Sequence, residues 1–554
     1  MTEAAVLASR AAALAANGDD AGASIAFEEA LKRFPGDPRL FNSAGNFHAE
    51  AGRAQRALEM FERALAIDPR LHEAAKNAAI TLQGLGRVEE AIALLRTRER
   101  DLGRDASYWT LRANAEQQAG RLPEAGNSFA RAITIDGADP DALKGRARVS
   151  LERGEARAVE DYERALARNP GDPYLVRDYA YALHEAGLPS EARTVAELLV
   201  EGQPGWPEAL GLLASLRWAA GEGDRFDDHF AQAADRAASP DVHLAWADTL
   251  SGIDRPARAA EVLAVARGKW PGDARLALAE AVALGESGAA ERAEAAFSTA
   301  NEPPSPEWAV ERTRNLLRLG RPEAAETLLG PVAEADLGNV AAWALRDLCW
   351  RATGDARHRW LHGQDGLIRT VPLALPGHDR VRDLLDRIHA RSARPIGQSV
   401  KDGSQTRGAL FARAEPEIAL IERAILSALE TYRSGLPPAD ARHPLLAFRD
   451  APWKITGSWS ILLQGEGHHA AHVHPLGVIS SAAYFSVPAE VDEPERPGWL
   501  ELGRPPPSLG IDLGPLAVVR PREGTCVLFP STLFHGTRPI GTGRRMTVAF
   551  DVTA

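Results

Sequence analysis

Small and aromatic residues return at a fixed interval along the first two thirds of the chain. The segments ASIAFEEALKRFP, RALEMFERALAIDP and RAVEDYERALARNP align on a small residue, an aromatic four positions later, an alanine three after that and a closing proline. The small residue falls at Ala23, Ala57, Ala91, Ala125, Ala158 and Ala192, in steps of 34, 34, 34, 33 and 34 residues. Phe27, Phe61, Leu95, Phe129, Tyr162 and Ala196 keep this phase at plus four, and Ala30, Ala64, Arg98, Ala132, Ala165 and Leu199 at plus seven. Steps of four and three place side chains on one face of a helix. Pro35, Pro69, Pro170 and Pro204 stop that helix, because proline lacks an amide donor and clashes with the preceding turn. A second helix per unit, seen as Phe41, Ala44, Gly45 and His48 in FNSAGNFHAEAG, completes a helical hairpin. A degenerate unit follows near Phe226 and Phe230 and clearer ones at Ala259, Ala293 and Ala324, giving about ten over residues 10–350. The apolar positions of this pattern are read as packing between helices, not as sites.

The pattern changes beyond residue 355. HDRVRDLLDRIHARSA spaces Val381, Leu384, Leu385 and Ile388 as an amphipathic helix, and a second helix is predicted over about Pro416 to Leu436. From Trp453 the segments are short, alternating and punctuated by Gly and Pro: KITGSWSILLQ, HVHPLGVISSAAYFSVP, GWLELG, LAVVRP, GTCVLFP and RRMTVAFDV. Short strands at such spacing predict a sandwich, barrel or jelly roll.

The repeats resemble the tetratricopeptide repeat (TPR). That resemblance implies an all-α solenoid whose concave face docks a peptide or protein partner. Composition narrows the setting. The 554 residues are 45% hydrophobic and 25% charged, as in soluble globular chains. Cys349 and Cys526 are too few for a disulfide framework, and a cytoplasmic location is expected. A net charge of −12 argues against nucleic-acid binding, and neither export nor membrane insertion is expected, since no apolar run approaches the length that spans a bilayer.

The chemistry concentrates near the C-terminus. In HHAAHVHP, His472 and His474 stand two apart on an apparent strand, where alternate residues share a face and both imidazoles reach one metal. His535 follows in VLFPSTLFHGTRP, past a strand end, and Arg545 comes ten residues later in GRRMTVAFDV. This order resembles the Fe(II)/2-oxoglutarate-dependent oxygenases. With Gly403-Ser404-Gln405-Thr406, the SWS around Trp459 and GWLELG, the chain is similar to oxygenases of that class that carry N-terminal TPR arrays. The resemblance implies a multidomain protein: a TPR-like solenoid over 1–355, a helical support region over 356–452, and a mostly β double-stranded β-helix over 453–554. It further implies His472, His474 and His535 as Fe(II) ligands and Arg545 as the anchor for the distal carboxylate of 2-oxoglutarate, with Thr547 assisting and Tyr484 a candidate for a co-substrate hydrogen bond. O₂ would be the other co-substrate. Most of that superfamily has Asp or Glu where His474 stands, so the site is one negative charge short. His468 and His469 are read first as solvated or hydrogen-bonded and second as supporting the ligands or meeting substrate, Arg544 as a surface charge and Cys526 as core. Two alternatives remain open here: a TPR scaffold with a silent jelly roll, and a three-histidine cupin-like dioxygenase that does without 2-oxoglutarate.

Overall fold

The computed structural model describes residues 2–299, 305–392 and 396–554. The chain divides into two compact units, Met1–Ala182 and Leu183–Ala554.

The first unit is all helical. Its hairpins include Asp20–Arg33, Pro38–Glu50, Ala54–Ile67, Leu122–Ile135 and Pro140–Glu152. The small and aromatic residues of the 34-residue phase are its core: Ala23, Phe27, Ala57, Phe61, Ala125, Phe129 and Tyr162 are at most 2% exposed. Glycine is required where helices cross. A Cβ on Gly45 would stand 2.4 Å from the Phe61 ring, and one on Gly145 2.1 Å from that of Phe129. Aspartates cap the following helices, as Asp37 does by accepting from the amides of Arg39 and Leu40. The sequence phase fails at Arg98, because the helix Val88–Arg96 ends before it and Arg98 lies in the turn.

Helical hairpins continue in the second unit from Pro189–Gly202 to Pro322–Ala335, followed by Val340–Thr353. The degenerate unit is a 3₁₀ turn at Gly223–Arg225 and a short helix Asp228–Arg236, whose Phe226 and Phe230 are fully buried. Among the described residues nine strands follow: β1 (Arg369–Pro372), β2 (Val400–Gln405), β3 (Lys454–His469), β4 (Ile479–Ser486), β5 (Leu500–Leu502), β6 (Ala517–Val519), β7 (Thr525–Pro530), β8 (His535–Thr537) and β9 (Arg544–Thr553). They form two antiparallel sheets, β1-β7-β4-β9-β3-β2 and β6-β5-β8. Alternation along β9 sorts its side chains. Met546, Val548, Phe550 and Val552 pack with the helices His378–His389 and Pro416–Ser434, whereas Arg545, Thr547, Ala549 and Asp551 line a cavity.

The last repeat helices belong to the same packing as the β region. Trp343, Leu345, Leu348 and Trp350 cluster with Leu509, Phe534 and Val473. Arg318 donates to the carbonyl of Ser508, Arg351 to those of Gly503 and Gly514, and His362 pairs with both Asp347 and Thr532. No helix among the described residues is long and apolar enough to cross a membrane.

Two buried histidines make this unit sensitive to acid. His443 donates from Nε2 to the carbonyl of Leu361 and accepts the amides of Leu445 and Leu446 at Nδ1, so it must be neutral. His389 lies between Ser404 and Ser460. Burial pushes each down to about 4. The unfolded chain takes up these protons near pH 6.5 and the folded chain only near pH 4, so stability is full above pH 6.5 and falls as pH drops through that window. The limit is on the order of 3 kcal/mol per histidine. The thermal midpoint is therefore expected to be several degrees lower at pH 5.0 than at pH 7.5, and equal midpoints would contradict these assignments.

Candidate metal centre

The metal-site candidates come together at one end of the cavity. His472 and His474 are not on a strand. β3 ends at His469, and His472 instead makes a lone antiparallel bridge to His535, the first residue of β8. The amide of His472 donates to the carbonyl of His535 at 3.0 Å, and that of His535 donates back at 2.9 Å. This bridge sets the two rings 4.3 Å apart, and the ring of His474 lies 5.0 and 4.8 Å from them. One ligand nitrogen from each of the three falls within 4.8 Å of the others.

Hydrogen bonds fix which nitrogen is free. His472 Nδ1 lies 2.9 Å from the carbonyl of Ala470 and His535 Nδ1 3.1 Å from that of Leu533. A carbonyl only accepts, so both Nδ1 atoms carry the proton and both Nε2 lone pairs are available. His474 Nδ1 donates to the carboxylate of Asp551, and its Nε2 faces that of His472 at 3.1 Å. Burial pushes His472 down to about 3 and His535 well below the usual imidazole range, so both are neutral at pH 7 and need shed no proton to bind a cation. His469 also faces this cavity, which favours the lesser of its two expected roles, support of the ligands or contact with substrate, over a solvated one. It is neutral by burial, and its Nδ1 lies 3.1 Å from the hydroxyl of Ser399. The same hydroxyl is 3.3 Å from His472 Nε2.

Behind the imidazoles, Arg545 is 2% exposed and its guanidinium stands 5.1 Å from the centre of the Tyr484 ring. Arg545 Nε and Nη1 and the hydroxyl of Tyr484 are buried without a hydrogen-bond partner among the described residues. Desolvation lowers the Arg545 pKa and raises that of Tyr484. Thr547 lies across from Tyr484 in the β4–β9 register and lines the cavity with Arg545. Arg544 points the other way, exposed and paired with Asp386.

The cavity measures about 790 Å³, and one wall comes from the repeats: Ser251, Gly252, Asp254 and Glu286. Asp254 is unusual among the repeat turns. Ten glycines, from Gly18, Gly52 and Gly86 to Gly320 and Gly354, hold positive φ at near 34-residue spacing; in the corresponding place Asp254 has φ 61. A left-handed aspartate costs about 1 kcal/mol. Its carboxylate pairs with Lys401 of β2, and the neighbouring carbonyl of Gly252 accepts from the amide of Gly397. Ser399 lies between these two ties. Sequence reading missed Ser399, Asp254 and Asp551. The first two meet the site only through tertiary folding, but Asp551 was within reach, since it follows Arg545 and Thr547 on the same face of β9.

Comparison with known proteins bears on both halves. A family model described as "Putative 2OG-Fe(II) oxygenase" matches residues 457–551. Tetratricopeptide repeat models match 4–72, 48–115 and 156–216. Cellulose synthase operon protein C of Xanthomonas axonopodis pv. citri is 29% identical over 216 residues, 37% of this chain, which spans only 12% of that protein's length. Solved structures similar to the chain include MamA (18% identity, 29% of this chain and 94% of that one, TM-score 0.28). A tetratricopeptide repeat protein from Parabacteroides merdae (18%, 43% and 95%, TM-score 0.35) and YrrB, titled a TPR protein with an unusual peptide-binding site (16%, 33% and 95%, TM-score 0.30), are others.

The Asp254 tie can be tested directly. Asp254→Gly restores the residue the other turns use and removes one partly exposed ion pair worth about 0–1 kcal/mol, so the two effects nearly cancel in stability. Amide exchange over residues 396–401 should rise severalfold while the thermal midpoint holds. Unchanged exchange would show that the ion pair does not hold the segment.

Proposed function

We propose that this chain, which carries tetratricopeptide repeats and a domain of the 2OG-Fe(II) oxygenase type, is an Fe(II)- and 2-oxoglutarate-dependent oxygenase that hydroxylates a substrate brought by its repeats. The observation that carries this reading is the donor set: three imidazoles with Nδ1 committed to oxygen acceptors and Nε2 atoms turned toward one another. Three nitrogen donors on one side of a cavity suit a divalent iron that keeps positions open. His472, His474 and His535 would hold the ion.

The bound iron supplies O₂ activation, coupling decarboxylation of 2-oxoglutarate to succinate with insertion of one oxygen atom into a substrate C–H bond. The protein's part is binding and orientation. The unpartnered guanidinium nitrogens of Arg545 fit a carboxylate, which would recover the hydrogen bonds that burial denies them. The hydroxyl of Thr547 lines the same cavity, and Tyr484, its partner in the β4–β9 register, stands against the Arg545 guanidinium, so both suit the same dianion. This favours 2-oxoglutarate over a cupin-like reaction, which needs no buried arginine there.

We place substrate selection with the repeats because helical repeats offer extended docking surfaces and because repeat residues line the cavity itself. A peptide, protein or carrier-bound substrate fits that arrangement. The two free thiols, Cys349 and Cys526, are fully buried, which suits a reducing, cytoplasmic compartment.

Purified protein with Fe(II) and O₂ should convert 2-oxoglutarate to succinate. His472→Ala or His535→Ala should abolish uptake of one divalent ion per chain, measured by calorimetry; unchanged stoichiometry in both would sink the ligand assignment. Arg545→Ala should weaken 2-oxoglutarate binding roughly tenfold to hundredfold and leave metal binding intact, the loss expected for one charge-assisted pair. Arg544→Ala is the control. Equal behaviour of the two arginine variants would rule out Arg545 as the anchor.

A further inference from the structure

A donor set of three neutral imidazoles brings no charge to a divalent cation, whereas two histidines and a carboxylate bring one negative charge. The structure places a carboxylate one bond further out. Asp551 is 8% exposed, and it sits on β9 opposite Gly457, on the face shared by Arg545 and Thr547. Its Oδ1 accepts from His474 Nδ1, and Ser480 Oγ lies 3.3 Å from the same nitrogen. Among the described residues no lysine or arginine pairs with Asp551; its partner is the Nδ1–H of the His474 imidazole. A buried carboxylate with no cation of its own is costly unless positive charge is close by. A metal ion on His474 Nε2 would supply that charge across the ring.

We propose that Asp551 is the positioning residue of this centre: it holds His474 in the tautomer that frees Nε2 and passes through the ring the negative charge that a carboxylate ligand would have supplied directly. The proposal rests on the metal-binding reading of the three histidines. Hydrogen bonding of Nδ1–H to a carboxylate makes the opposite nitrogen a stronger donor, and loss of such a partner typically costs 10–100-fold in metal affinity.

The test titrates metal-free full-length protein with Co(II), followed by its visible absorption. Wild type should bind one Co(II). Asp551→Asn keeps the shape and loses the charge, and should bind 10–100-fold more weakly with an altered spectrum. His474→Asp combined with Asp551→Asn moves the carboxylate into the donor set and should bind more tightly than Asp551→Asn alone, a rescue that a purely structural role for Asp551 would not give. Wild-type affinity in Asp551→Asn, or a double variant weaker than the single one, overturns the proposal and leaves the metal site standing. Failure of wild type to take up Co(II) overturns both. Nitrogen NMR of metal-free wild type, which depends on no variant, should show His474 protonated at Nδ1 and bare at Nε2 at neutral pH. The opposite tautomer overturns the role assigned to Asp551.

Discussion

Two backbone hydrogen bonds between His472 and His535 carry the arrangement of the centre. They join the segment that leaves β3 to the first residue of β8, and without them the loop that carries His472 would have no backbone tie to the strand that carries His535. A lone bridge of two hydrogen bonds is weak on its own, since each contributes only about 1 kcal/mol net. What makes it persist is the packing beneath. Val473 and Phe534, the residues next to the two histidines, lie in one apolar cluster with Trp343, Leu345, Leu348 and Trp350 of a repeat helix. The imidazoles face the cavity because their chain neighbours face the repeats. The last repeat helices are thus part of the wall against which the centre is built.

That dependence explains which features were legible in the sequence. The repeats were, because their period comes from local geometry: an alanine and an aromatic four apart on one helix of a unit, met by a small residue on a neighbouring helix, Gly45 on the one before Phe61 and Gly145 on the one after Phe129. Arg98 kept the spacing without the helix, since register in sequence does not report where a helix ends. The shift in pattern after residue 355 marks a change of secondary structure. The compact unit holding the β region begins far earlier, at Leu183, because the contacts that define it, such as Arg351 with Gly503 and His362 with Thr532, join residues distant in the chain.

The candidate site was partly legible for a similar reason. The order of His472, His474, His535 and Arg545 carries a recognisable spacing, and β-strand alternation separates buried Arg545 from exposed Arg544. The same alternation leads from Arg545 through Thr547 to Asp551. The strand assigned to His472 and His474 was misplaced because two histidines two apart resemble a strand, while the real constraint is the bridge to His535. Nothing local marks Ser399 as a neighbour of His472 and His469, since its position is set from outside by the ties at Gly252 and Asp254.

Asp254 shows how a repeat becomes part of the cavity wall without leaving its own pattern. The turn needs a left-handed residue, glycine meets that need at no steric cost, and ten other turns use it. An aspartate can adopt the same conformation at about 1 kcal/mol, and in return its carboxylate reaches Lys401, which a glycine cannot do. The gain from a partly exposed ion pair is of the same size as the cost, so the exchange adds little to stability. Its effect lies in where the chain is held. It fixes the segment carrying Ser399 beside the Nε2 atom of His472 and sets the repeat turn at the edge of the cavity. A residue that is nearly neutral for folding thereby connects the repeats to the cavity that holds the three imidazoles, whose lining includes Ser251, Gly252, Asp254 and Glu286 of the repeats.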